Sequence, residues 1–460
     1  MKKKGFKIEY LFYLYIVISP FLDALSCMYR EWFPNNTLSP LMFIRPIIPI
    51  ILAVYIFFKD KKTRIPLALS AICYCIYGVI HLLIFRHLLT GISYGSIFQE
   101  GLYVFNYTYM IYIMFIIMYF YERKKLPYLK KVLFWMLCSY LLLIYVSIIT
   151  RTSLPTYVEG TGYRSYFVSG NSLCTVLLLL FSLFVSDLFK DKKIQNIVVF
   201  ALLGLYLIFL VGTRTGMFGF ILVFIVYILM EVFMAMKDKI IFDKKRIGLI
   251  LIVLVVVGAL LLKVGSNTLQ RRKEMHEMID DTVDINTGEL AHVTGSTTRF
   301  IYRINNNQLA ENEMSKAQIL AYKDLYRVGN KLKLDNTNYR VQQLIYNVYL
   351  VKEQHNIIYM LFGNGHVNLY GEMILEMELP FILFNFGLLG FILYVCPLLY
   401  WLIKGLKNKD KKYKDITYYM STFGILLAFG LSLIAGYVLY SSTCALVMIC
   451  MLSTLRKAGE

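Results

Sequence analysis

Twelve runs of about 20 mostly apolar residues divide this 460-residue chain, and about that length is what one helix needs to cross a bilayer core of roughly 30 Å. They lie near residues 8–28, 41–58, 66–84, 97–121, 132–150, 170–187, 195–211, 215–235, 247–264, 377–403, 416–435 and 437–455. The apolar share of 58% exceeds the roughly 45–50% of soluble chains and excludes a soluble enzyme. Charge is scarce at 17% but strongly basic, 48 Lys+Arg against 29 Asp+Glu. It falls between the apolar runs, which excludes the folded basic face of a nucleic-acid-binding protein.

The linkers at 59–64, 123–131, 190–193, 237–246 and 404–414 are basic and the alternate short ones are not. By the positive-inside rule both termini are expected in the cytoplasm, with an even span number. The first run follows Lys2, Lys3 and Lys4 and is interrupted by Asp23; without a clean small-residue cleavage site it reads as an uncleaved span. The expected fold is an all-α polytopic membrane protein of about twelve transmembrane helices. Its expected parts are a membrane domain over 1–265 with nine helices, a large external loop over 266–376, and a membrane domain over 377–460 with three. Helical apolar spacing recurs inside the loop over 314–328 and 339–352.

The eight cysteines lie in or beside apolar runs and suggest no disulfide framework. The six histidines are scattered without metal-ligand spacing. Neither a metal nor another cofactor is expected.

Ionisable groups inside spans are expensive and are functional candidates. Under the expected topology Asp23, Arg45, Glu100, Arg214, Glu376 and Glu378 all fall at the outer rim, not at the midplane where a proton-coupled carrier places such groups. Each also has a structural reading. Glu376 and Glu378 suit a helix N-terminus, Asp23 and Glu100 suit the interface, and Arg45 suits an ion pair with Asp23 or Glu100. The segment Gly212-Thr213-Arg214-Thr215-Gly216 sets a cation among glycines and hydroxyls at a helix start, an arrangement suited to phosphate or pyrophosphate.

Two further segments are Leu361-Phe362-Gly363-Asn364-Gly365-His366 and, after Glu376-Met377-Glu378, Asn385-Phe386-Gly387-Leu388-Leu389-Gly390. With Arg214 and the large outer loop, the chain resembles the bacterial O-antigen ligase and polysaccharide polymerase superfamily. The resemblance implies a GT-C-like integral-membrane glycosyltransferase acting on an undecaprenyl-pyrophosphate-linked glycan. It implies pyrophosphate-binding roles for Arg214 and Arg340, with Arg299 as the second choice for the loop arginine and Arg45 in support. It marks 163–171 as an outer-loop stretch, with Arg164, Asn171 and Glu100 as substrate-binding candidates. Ligases carry a histidine where Glu376 stands, so the resemblance leans to the polymerase branch of Gram-positive bacteria. Glu376 is the first candidate base, with Glu378 and His366 as alternatives.

The expected activity is polymerisation of lipid-linked repeat units into a surface polysaccharide, such as a capsule or exopolysaccharide, at the bacterial plasma membrane. The expected partners are the lipid-linked donor and acceptor, the bilayer, and a flippase and chain-length regulator of the same pathway. No nucleic acid is expected. Ligase-type transfer of finished glycan, or transport of the lipid-linked oligosaccharide, are the alternatives.

Overall fold

A computed structural model describes residues 8–34, 39–88, 97–157, 160–190, 194–238, 267, 301, 303–307, 314–334, 339–365, 373, 375–407, 415–434, 436 and 438–455. The helices of the first half are α1 (Glu9–Trp32), α2 (Leu41–Ile44), α3 (Ile47–Lys59), α4 (Lys61–Leu88), α5 (Ile97–Glu122), α6 (Leu129–Ile149), α7 (Gly170–Lys190), α8 (Ile194–Leu205, continued by a π turn over Tyr206–Leu210) and α9 (Arg214–Asp238). Then follow α10 (Lys316–Leu332), α11 (Tyr339–Gln354), α12 (Ile357–Phe362), α13 (Glu378–Tyr394), α14 (Cys396–Leu406), α15 (Ile416–Ile434) and α16 (Ser442–Thr454). A short antiparallel hairpin, β1 (Leu154–Pro155) and β2 (Tyr163–Ser165), precedes α7.

Among the described residues eight helical stretches are long and apolar enough to cross a membrane, and three shorter apolar helices occupy further runs. The chain is an all-α polytopic membrane protein. The ninth apolar run, 247–264, lies outside the described residues.

Helix α4 shows how the sequence assigns its faces. Ile65, Leu69, Ile72, Ile76, Val79 and Leu83 are exposed, whereas Tyr74, Tyr77, His81 and Phe85 are buried. Steps of three and four residues put each set on one side of the helix. In lipid the aliphatic side chains face outward at no cost, while groups that need hydrogen bonds turn inward. Tyr74 Oη donates to the Leu393 carbonyl at 2.8 Å and Tyr77 Oη to the Phe386 carbonyl at 2.6 Å.

Those carbonyls are available because the tenth run is not one continuous helix. Gly387 has φ 68° and ψ −176°, which breaks α13 internally, and a second interruption at Val395 separates it from α14. A break at membrane depth is tolerated only where other groups satisfy the freed backbone. The Asn364 N–H donates to the Phe384 carbonyl at 3.0 Å and the Gly365 N–H to the Asn385 carbonyl at 2.8 Å. The glycine-rich segment quoted for the family resemblance is thus a backbone clasp across the broken helix.

The last run also departs from expectation. Instead of a span over 437–455, the helix starts at Ser442 and has 13 residues, about 20 Å at 1.5 Å per residue. That is shorter than a bilayer core. Its sides are sealed by protein: Cys444, Ala445, Leu446, Val447, Met448 and Ile449 are fully buried. It packs among α5, α7 and α15, so its N-terminus lies inside the bundle.

In the expected loop region, α10 and α11 pack together around Tyr322, Leu325, Tyr346 and Leu350. A capping box fixes the start of α10: the Gln318 N–H donates to Ser315 Oγ, and the Ser315 N–H to Gln318 Oε1.

Candidate active site: a cationic cavity at two helix starts

A cavity of about 500 Å³ opens where α1, the break between α2 and α3, the start of α7, the start of α11 and the turn before α16 meet. Its wall carries three arginines, Arg30, Arg45 and Arg340, and two carboxylates, Asp23 and Glu376.

Arg45 stands at the junction of α2 and α3, followed by Pro46. Its guanidinium pairs with Asp23 through Nη2 and donates to Ser442 Oγ through Nη1. Asp23 uses its other oxygen to accept from the Thr443 hydroxyl and, at 3.3 Å, from Tyr140 Oη. One carboxylate therefore ties α1 to the α2–α3 junction, α6 and α16. Opposite-charge pairing leaves Arg45 a fixed donor rather than a swinging cation.

The second pair is looser. Arg340 Nε donates to Glu376 Oε2 at 2.9 Å and Nη1 to the Ile434 carbonyl at 3.3 Å. The two side chains are 39% and 47% exposed, against 18% and 24% for Arg45 and Asp23. The Glu376 N–H donates to Gln343 Oε1 at 3.1 Å, which anchors its backbone to α11.

Asn171 and Ser172 in the first turn of α7, and Ser442 at the start of α16, are also on the wall. First-turn N–H groups have no acceptor within their own helix, and with the helix dipole they favour an anion. Hydroxyls, guanidinium groups and helix starts converge on one space.

Among the sequence candidates, Arg45, Arg340, Glu376 and Asn171 come together here. Arg164 donates to the Val168 carbonyl at 2.5 Å and pairs with Glu31 at 3.4 Å; it braces wall residue Val168 without being on the wall itself. Glu100 is elsewhere: it is fully buried and bonded to His81 Nε2 at 2.6 Å, while His81 Nδ1 meets the Phe362 carbonyl at 2.8 Å. Its burial and its bond to His81 set Glu100 apart from the other substrate-binding candidates, Arg164 and Asn171.

Arg214 is exposed and is not on the cavity wall. Its motif builds a turn instead. Gly212 has φ 77°, and Thr213 Oγ1 accepts from the Gly216 N–H at 3.0 Å as a helix cap. Arg214, to which the resemblance gives a pyrophosphate-binding role, therefore stands apart from Arg45 and Arg340. Glu378 is fully buried and bonded to its own chain, off the cavity wall. His366 and Arg299 lie outside the described residues.

Arg30 and Ser442 were missed by the sequence reading. A signal existed for Arg30: it follows Asp23 by seven residues, two helical turns, which places both on one face of α1. Ser442 carried none, since its apolar run was read as continuous helix. Among the described residues no group of three or more His, Cys, Asp or Glu is placed to hold a metal ion.

The bundle, with polar groups gathered inward around a cavity, defines a multi-pass membrane protein. The chain belongs to the family described as O-antigen ligase like membrane protein, which matches residues 6–456. That membership makes it a membrane enzyme acting on polysaccharide. No curated protein and no solved structure matches it.

Proposed function

We propose that the protein is a glycosyltransferase that polymerises undecaprenyl-pyrophosphate-linked repeat units into a surface polysaccharide, on the outer face of a Gram-positive plasma membrane. The observation that carries this reading is the meeting of Arg30, Arg45 and Arg340 with two helix starts and the more exposed of two carboxylates, Glu376, in a single cavity. An acceptor sugar hydroxyl attacks the anomeric carbon of the donor, and the bond from that carbon to the pyrophosphate oxygen breaks. Undecaprenyl pyrophosphate leaves with the electron pair, and the hydroxyl proton passes to Glu376. Fixed guanidinium and N–H donors stabilise the charge developing on the leaving group.

In this reading Arg45 is the preorganised donor and Arg340 an adjustable one that exchanges Glu376 for pyrophosphate. In the same reading the chain keeps the topology expected from its linkers, GT-C-like with both termini cytoplasmic and an external domain over 266–376, so that the cavity opens on the outer side. The family description favours a second reading, ligase-type transfer of finished glycan.

The test is product analysis in lipid with authentic lipid-linked repeat units, for wild type, Arg45→Ala and Glu376→Gln. A ladder of lengthening lipid-linked glycans, lost in both folded variants, supports the polymerase. A single transfer onto a separate acceptor promotes the ligase. Donor crossing the bilayer without bond formation rejects both in favour of a transporter.

A further inference from the structure

Glu378, a sequence candidate for the base, is bonded entirely within its own chain. Its Oε2 accepts from the N–H groups of Val438 and Leu439 at 2.5 and 2.6 Å and from Ser432 Oγ at 3.2 Å. Its Oε1 accepts from the Tyr440 N–H at 2.5 Å and from Tyr107 Oη at 3.1 Å. Five donors from three segments surround one carboxylate that is 0% exposed. A buried carboxylate requires that degree of satisfaction, and here three donors are consecutive backbone amides.

Those amides belong to the turn that leads into α16. Tyr440, Ser441 and Ser442 at its end form part of the cavity wall, and the following residues are gripped from the other side by Asp23 and Arg45 through Thr443 and Ser442. The amides of 438–440 are consumed by Glu378. The next, at the start of α16, have no acceptor in their own helix. The residues that hold Glu378 and the residues that line the cavity thus adjoin in one turn.

We infer that Glu378 is a positioning residue: by holding the amides of Val438, Leu439 and Tyr440 it fixes the start of α16 as a donor site for the pyrophosphate of the substrate. The inference rests on the pyrophosphate reading of the cavity but not on polymerisation. Glu378 takes no proton from substrate and touches none of the reacting atoms. Replacing it with glutamine turns one of its two accepting oxygens into an amide donor that meets backbone donors, so the turn must shift and with it Ser442 and Tyr440. Aspartate keeps both acceptors on a shorter stem and retains more of the geometry.

The experiment measures binding of inorganic pyrophosphate to the full-length protein in lipid nanodiscs by calorimetry, for wild type, Glu378→Gln, Glu378→Asp and Tyr107→Phe. The expected result is at least tenfold weaker binding in folded Glu378→Gln, with partial recovery in Glu378→Asp. Tyr107→Phe removes one donor to Glu378 and is expected to weaken binding two- to fivefold, which tests the inference even where Glu378→Gln does not fold. Unchanged pyrophosphate affinity in folded Glu378→Gln, or in Tyr107→Phe, overturns it. Because the anion is read by binding, the result stands apart from whatever the polymerisation assay returns.

Discussion

Gly363 and Gly387 stand backbone to backbone: a Cβ on either would come within 2.5 Å of the other's amide nitrogen. Both have positive φ, 84° and 68°. Gly387 breaks the helix that leads away from Glu376, and Gly363 brings up the segment whose amides at 364 and 365 satisfy the broken helix. Alanine at either position meets backbone, not a flexible side chain, as well as an unfavourable conformation. Gly363→Ala and Gly387→Ala are expected to lose about 3 kcal/mol or more, near the large end of single-residue effects. Fluorescence-detected size-exclusion chromatography after heating checks this; a variant as heat-resistant as wild type contradicts the clasp.

The Asp23–Arg45 pair carries a different expectation. The pair and its side-chain partners together span α1, the α2–α3 junction, α6 and α16, so Asp23→Asn weakens the grip on Arg45, Thr443 and Tyr140 together. At least a tenfold fall in kcat is expected, with a stability loss of about 1–3 kcal/mol, reduced from fully buried values by the partial exposure of both groups. Arg45→Lys is expected to resemble Arg45→Ala rather than wild type, because an ammonium cannot span Asp23 and Ser442 as the planar guanidinium does. Near-normal turnover in Arg45→Lys would argue that only charge matters at this position.

Glu376 pairs with Arg340 near the surface, where such pairs contribute about 0–1 kcal/mol. Glu376→Gln is expected to melt within a few degrees of wild type yet form no glycan ladder. The matched control is Arg214→Ala. Because Arg214 is exposed and off the cavity wall, its removal is expected to change kcat/KM less than threefold. A hundredfold loss in that variant would place a cation site at the start of α9.

Glu100 and His81 form a buried pair under the clasp. Breaking a buried pair costs about 3–5 kcal/mol because the remaining partner is left unsatisfied. Glu100→Ala is expected to lower thermal stability strongly while any surviving folded fraction keeps the wild-type KM. A raised KM at unchanged stability would restore Glu100 as a substrate contact.

The sequence alone determined the class of fold. Apolar runs long enough to cross a bilayer leave the backbone little choice but helix, and α4 shows periodicity also deciding which face meets lipid. It also drew attention to Arg45 and Glu376, because charged side chains at helix ends stand out against an apolar background, while Arg340 and Asn171 came only from the family resemblance. What it could not decide is where helices stop short. The last apolar run contains both the 438–440 turn and α16, and the tenth run contains the break at Gly387; each reads in the sequence as one apolar stretch. Only the tertiary structure supplied the partners that make those breaks stable, Glu378 for one and the amides of Asn364 and Gly365 for the other. The same partners separate Glu378 and Glu100, enclosed by protein donors, from Glu376, which faces the cavity. Three glutamates near helix starts look alike in a sequence, and their roles are divided by the groups that surround them after folding.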